Sequence, residues 1–143
     1  MGRILAIDFG RKRCGIAVTD TLRIAANGLA TVPTASLSDF ILSYIAREPV
    51  DIIVVGEPTD MHGRPSESQR YMRPAIARLR KLLPQGLDIV FYDERFTSVL
   101  AHKAMLDGGL GKMARRDKAL VDEISATIIL NDYLASRSYT GGI

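Results

Sequence analysis

Residues 4–20 read ILAIDFGRKRCGIAVTD. An apolar run from Ile4 to Ile7 ends on an acid, Asp8, followed by Phe9-Gly10 and three consecutive cations, Arg11, Lys12 and Arg13. An ionised carboxylate beside a buried strand is costly unless something compensates it. Asp8 therefore either closes a turn or holds a cation. The segments flanking the loop, residues 3–9 and 14–19, read as two buried strands joined tightly, which makes a hairpin.

Working outward, a short strand is expected over residues 29–32, ended by Pro33. A helix follows, capped by Ser36 or Ser38, with Phe40, Ile41, Tyr44 and Ile45 at helical spacing. Residues 51–56, DIIVVG, form a continuous apolar run of the kind buried on both faces of a sheet. Residues 57–66 hold Pro58, Gly63 and Pro65 and read as loop. A second helix runs to about residue 83, with Met72, Ile76, Leu79 and Leu83 on one side and Arg70, Arg73, Arg80 and Lys81 on the other. Pro74 within it marks a kink or the true start. Residues 88–92 are another strand, ending in Asp93-Glu94-Arg95. A third helix is expected over 97–106, a glycine-rich basic loop over 108–116, and a last helix over 117–135. The order β-β-β-α-β-α-β-α-α predicts an α/β fold: a mixed five-stranded sheet with helices on both faces.

The 143 residues fit one domain, spanning 1–143. With 47% hydrophobic and 24% charged residues the chain is globular rather than disordered. A formal charge of +3 permits an anionic partner without demanding one. The single cysteine, Cys14, excludes an intrachain disulfide framework, and no apolar stretch reaches the ~18 residues of a membrane span. A cytoplasmic protein without membrane attachment is expected. His62 and His102 lack ligand spacing, and Cys14 has no Cys or His partner in its strand.

Ligands of such sheets sit at a strand edge near a switch in strand order. Asp8 ends the first strand, and Asp93 and Glu94 end the last. If both strands belong to the parallel part, these acids emerge at the same end. A third acid comes from the last helix. On a helical wheel Asp122 falls within an apolar arc with Ala119, Ala126, Ile129, Leu130 and Tyr133, while Glu123 falls toward Thr127 and Asn131. An acid in the packed face is the informative observation. Three carboxylates in one cleft repel one another, and a divalent ion resolves the conflict. Oxygen-only ligands suit Mg²⁺ or Mn²⁺. Two such ions ~4 Å apart stabilise the attacking and leaving oxygens of a phosphoryl displacement, so the expected chemistry is phosphodiester hydrolysis.

The segments IDFGRKRCGIAVTD, VVGEPTDMHGR, DERFTSVLA and VDEISATIILNDYL resemble, in order along the chain, the four signature blocks of the bacterial YqgF (RuvX) family. The resemblance implies an RNase H-like fold of the retroviral integrase and resolvase type. Two activities are attributed to that family: Holliday junction resolution, and completion of the 5′ end of 16S rRNA from its precursor. It also implies an acidic triad at Asp8, Glu94 and Asp122, with Asp93 in the same block able to share the role. Arg13 matches the family's arginine in the first block. Thr19-Asp20 stands where Ser-Asp is usual, and Glu57 stands where the family is usually apolar.

On this reading Arg11, Lys12, Arg13, Arg70, Arg73, Arg95, Lys112, Arg115 and Arg116 are candidate phosphate contacts, which position a substrate without reading bases. Five Tyr, four Phe and no Trp suggest no stacking platform for single strands. The partner is nucleic acid, either precursor rRNA or branched DNA. Symmetric cleavage of a junction requires two active sites and hence a homodimer. A non-catalytic nucleic-acid-binding module would keep the cations but has no need of Asp122 in an apolar arc. An actin-like ATPase needs two domains closing on nucleotide.

Overall fold

A computed structural model describes residues 2–57, 69–93 and 118–141. The elements are β1 (Arg3–Asp8), β2 (Arg13–Thr19), β3 (Ala26–Pro33), a 3-10 turn (Thr34–Ser36), α1 (Leu37–Arg47), β4 (Val50–Glu57), α2 (Gln69–Leu82), β5 (Asp88–Asp93) and α3 (Lys118–Gly141). The helix expected over 97–106 and the basic loop over 108–116 lie outside the described residues.

The sheet order is β3-β2-β1-β4-β5. β2 pairs antiparallel with both β1 and β3, whereas β1, β4 and β5 run parallel. The mixed five-stranded sheet predicted from the sequence is therefore present. β1 lies at the centre, where the sheet changes from antiparallel to parallel.

Alternation along β1 decides which helix covers which face. Leu5, Ile7 and Phe9 join Ile53 and Val55 in one core, closed by α1 and α2 through residues such as Ile41, Met72 and Leu79. Ile4 and Ala6 join Ala17 and Val54 in a second core, closed by Ala126, Ile129, Leu130 and Tyr133 of α3. Three alanines at that second interface leave room for α3 to sit close to the sheet. Ile129 and Leu130 are almost fully buried, and each contributes about 1.5–3 kcal/mol by leaving water.

Several boundaries differ from the sequence expectation. β3 begins at Ala26 rather than near residue 29, because Asn27 and Gly28 pair by backbone with Val18 and Ala17. β4 extends through Glu57, which pairs with Asp93 instead of belonging to a loop. Pro74 sits inside α2. Ser36 occupies the N-cap of α1, yet its side chain makes no capping bond. α3 continues to Gly141.

Thr19 is the one buried polar residue among the described residues. Its hydroxyl accepts from the Ile4 N–H at 3.0 Å and donates to the Asp20 carbonyl at 2.8 Å. Ile4 lies where the β1–β4 register shifts, so Thr19 satisfies a donor that would otherwise be left buried and unpaired.

Asp20 organises the β2–β3 connection. Its carboxylate accepts from the N–H groups of Leu22, Ile24 and Ala25 at 2.9–3.1 Å. The Ala25 N–H in particular holds the carboxyl below the usual carboxylate range, against a smaller opposing effect of burial, with Ile24 and Leu22 adding to the depression. A carboxyl depressed in the folded state contributes stability above its unfolded pKa of about 3.9 and loses it as pH falls through the folded value. Asp20→Asn should thus melt below wild type at neutral pH. The gap should close as pH drops below about 4. Thermal melts of both proteins across that range check this; a gap independent of pH would contradict it.

Candidate functional site

Asp8 is the last residue of β1 and is half-buried. It continues the parity of Ile4 and Ala6, the residues facing α3. The neighbouring parallel strands end at the same edge: Ile7 pairs with Val55, Gly56 with Tyr92, and Glu57 with Asp93. The expectation that the ends of the first and last strands share one edge of the sheet is met.

Of the other predicted acids, Asp93 closes β5 and Asp122 lies in α3, one turn before the buried Ala126. Glu94 lies outside the described residues. Along β5 the residues alternate, with Ile89 and Phe91 packed on the first core and Val90 and Tyr92 on the second. The Tyr92 hydroxyl donates to Asp132 of α3, and the Tyr92 and Tyr133 rings meet edge to face at 6.2 Å. These contacts fasten the end of β5 to the same helix that carries Asp122. Glu123 and Thr127 face Gly28 of β3, so part of the polar side of the wheel lies over the edge strand.

The turn after Asp8 is held by space and by hydrogen bonds. A Cβ on Gly10 would stand 2.3 Å from the Arg13 carbonyl oxygen. Thr34 clamps both sides of Arg11: its hydroxyl donates to the Gly10 carbonyl at 2.6 Å and its N–H donates to the Lys12 carbonyl at 3.0 Å. The buried Cys14 thiol lies 3.5 Å from the Thr34 hydroxyl and 4.0 Å from the Gly10 carbonyl oxygen, the role of a small packed residue.

This clamp presents Arg11 and Lys12 to solvent and leaves Arg13, paired with Pro33, half-buried. The Arg11 guanidinium lies 4.6 Å from the centroid of the Tyr71 ring in α2. Tyr71 sits between Arg70 and Arg73, both exposed, and Arg73 lies over Phe91 at 5.4 Å. The structure thus brings together two groups of predicted cations that are far apart in sequence. Arg95, Lys112, Arg115 and Arg116 fall outside the described residues. Thr34 and Tyr71 were not picked out by the sequence. Thr34 acts through tertiary contacts that no local pattern encodes, and counting aromatics alone overlooked Tyr71.

Among the described residues, no three His, Cys, Asp or Glu side chains gather as a metal-holding group, and no helix is long and apolar enough to cross a membrane. For a divalent ion, the fit rests on Asp8, an oxygen donor partly withdrawn from water where three parallel strands end.

Comparison with known proteins adds the following. A family model described as RuvX, Holliday junction resolvase, matches residues 2–136. A Phocaeicola vulgatus protein named "Putative pre-16S rRNA nuclease" is 60% identical over 139 residues, covering 97% of this chain and 99% of that protein. A Parabacteroides distasonis protein of the same name is 55% identical with the same coverage. Among solved structures, Thermus thermophilus RuvC in complex with a Holliday junction substrate aligns over 98% of both chains with a TM-score of 0.57 and 19% identity. That likeness establishes an RNase H-like fold.

Proposed function

The chain belongs to the RuvX family, and we propose from this that it is a divalent-metal-dependent nuclease that trims the 5′ end of the 16S rRNA precursor. The observation that carries the reading is the placement of Asp8. It ends the central strand, at the edge shared by β4 and β5, on the face closed by the helix bearing Asp122.

Asp8, Glu94 and Asp122 would hold the metal. Glu94 is favoured over Asp93 because it is the acid that the resemblance to the family's third signature block assigns to the triad. When bound, Mg²⁺ or Mn²⁺ supplies a nucleophile at neutral pH and offsets charge on the leaving oxygen. The chain's own contribution is orientation. The paired strand ends fix the backbone beneath Asp8 and Asp93, and Tyr92 and Asp132 tie that edge to α3. Arg11, Lys12 and Arg13, with Arg70 and Arg73, draw the phosphate backbone toward it. Arg95, Lys112, Arg115 and Arg116 are candidates for further phosphate contacts.

The family description favours a second reading, resolution of Holliday junctions, which needs a homodimer to cut two strands symmetrically. Cleavage of a 5′-extended 16S rRNA fragment and of a four-way DNA junction, side by side, separates the two. The expected result is cleavage of the rRNA in Mg²⁺ or Mn²⁺ and none in chelator. Paired symmetric nicks in the junction, made by a dimeric protein, would select the second reading. Undiminished cleavage in chelator would remove the metal. Binding without cleavage in any divalent ion would leave a non-catalytic nucleic-acid-binding protein.

A further inference from the structure

Tyr71 is 43% exposed, on a helix whose remaining outward positions are largely cationic. It has no place in either core, yet it does not simply trail in solvent. Its neighbour Met72 is fully buried and fixes the helix beneath it, and Arg11 from a different element lies over its ring. The backbone on both sides of Arg11 is held, because Thr34 binds the carbonyls of Gly10 and Lys12. An ordinary solvated helix face does not require this arrangement of two anchored groups meeting across elements.

Resting on the nuclease reading, we infer that Arg11 and Tyr71, flanked by Arg70 and Arg73, form a seat for one unpaired nucleotide of the substrate flanking the cleavage point. Aromatic rings and guanidinium planes both stack on nucleic-acid bases, and guanidinium N–H groups bond phosphate oxygens. A base inside a duplex has both faces covered by its neighbours, so the seat selects single-stranded or splayed nucleotides. Arg11 follows Asp8 by three residues, which span at most about 11 Å. That bounds the backbone separation alone; α2 packs on the face of the sheet opposite to the one Asp8 continues, so the seat takes a nucleotide flanking the cleavage point. Because the backbone beneath both groups is held beforehand, the ordering left for binding is that of the two side chains. The substrate class is thus narrowed to one with an unpaired stretch flanking the cleavage point.

The test measures binding in chelator, where no cleavage intervenes. The probes are a labelled single-stranded RNA and a fully paired duplex containing the same sequence. Tyr71→Leu keeps an apolar helix former of moderate size and removes the ring. It should weaken single-strand binding roughly 5- to 150-fold and leave the duplex within about twofold of wild type. Tyr71→Phe should restore single-strand binding. The salt slope on the single strand should be unchanged in Tyr71→Leu and should flatten by about 0.7 in Arg11→Gln, one phosphate contact being lost. Equal losses on both probes, or none on either, would overturn the seat. Cleavage that persists with no dependence on Tyr71 would overturn the seat while the nuclease reading stands. Tyr71-dependent binding by a protein that cuts nothing would sink the nuclease reading and keep the seat.

Discussion

Asp8→Asn should lower the cleavage rate by about 10³-fold or more, because divalent-ion assistance is worth several kcal/mol and each ~1.4 kcal/mol is a factor of ten. The substitution preserves size and hydrogen-bonding capacity but removes the charge that would hold the ion. Nucleic-acid affinity measured in chelator should stay within a few-fold of wild type, since the cations on the β1–β2 loop and α2 are untouched. In the proposed site the melting temperature should hold or rise, because one of three carboxylates that would repel one another becomes neutral. Glu94→Gln should behave alike, and the double variant should be little worse than either single one, as expected for groups acting as a unit. Wild-type turnover by Asp8→Asn would reduce Asp8 to turn chemistry.

Gly10→Ala carries the largest expected effect on the framework. Gly10 does not have positive φ, so the requirement is for space. The added methyl would stand 2.3 Å from a backbone oxygen of Arg13, an atom that cannot swing aside as a flexible side chain could. Relief requires the loop to move, at about 1–3 kcal/mol, which lowers the melting temperature by roughly 2–12 °C. Moving the loop also moves Asp8, two residues upstream. A displacement of ~1 Å at a reacting centre costs on the order of 10²-fold in rate. Gly28→Ala is the control. There a methyl would meet Glu123 Oε1 at 3.4 Å and the Thr127 hydroxyl at 3.6 Å, which is ordinary contact. It should leave stability and cleavage near wild type. Thermal melts and cleavage assays on both variants check the contrast, and a Gly10→Ala protein equal to wild type would show the loop to have slack.

The sheet was legible because apolar alternation and Gly/Pro punctuation are local signals. Ile4 and Ala6 against Leu5 and Ile7 already sort β1 into two faces, and Met72, Ile76 and Leu79 mark the inner side of α2. β3 was read too short because Asn27 and Gly28 are poor strand formers whose pairing is imposed by β2. The end of α3 was read too early because it is rich in Ser, Thr and Gly. Within the helix, Thr127 and Ser136 return their hydroxyls to the carbonyls of Glu123 and Tyr133 instead of breaking the turn. Of the candidate site, the acids were visible as charges in apolar company. The Thr34 clamp and the Arg11–Tyr71 contact were not, since each joins segments whose meeting only the tertiary fold decides.

The packing of α3 on Ile4 and Ala6 also sets a schedule for synthesis. The central strand is made well before the helix covering its second face, with β2 to β5 between them. Domains fold as the chain emerges at about 5–20 residues per second, and contacts between distant segments form late. One face of the sheet therefore waits, uncovered, until α3 has been made. In the proposed function the acid carried by α3 arrives in that same step, so a chain not yet extended through α3 is catalytically silent beside the rRNA of the ribosome making it.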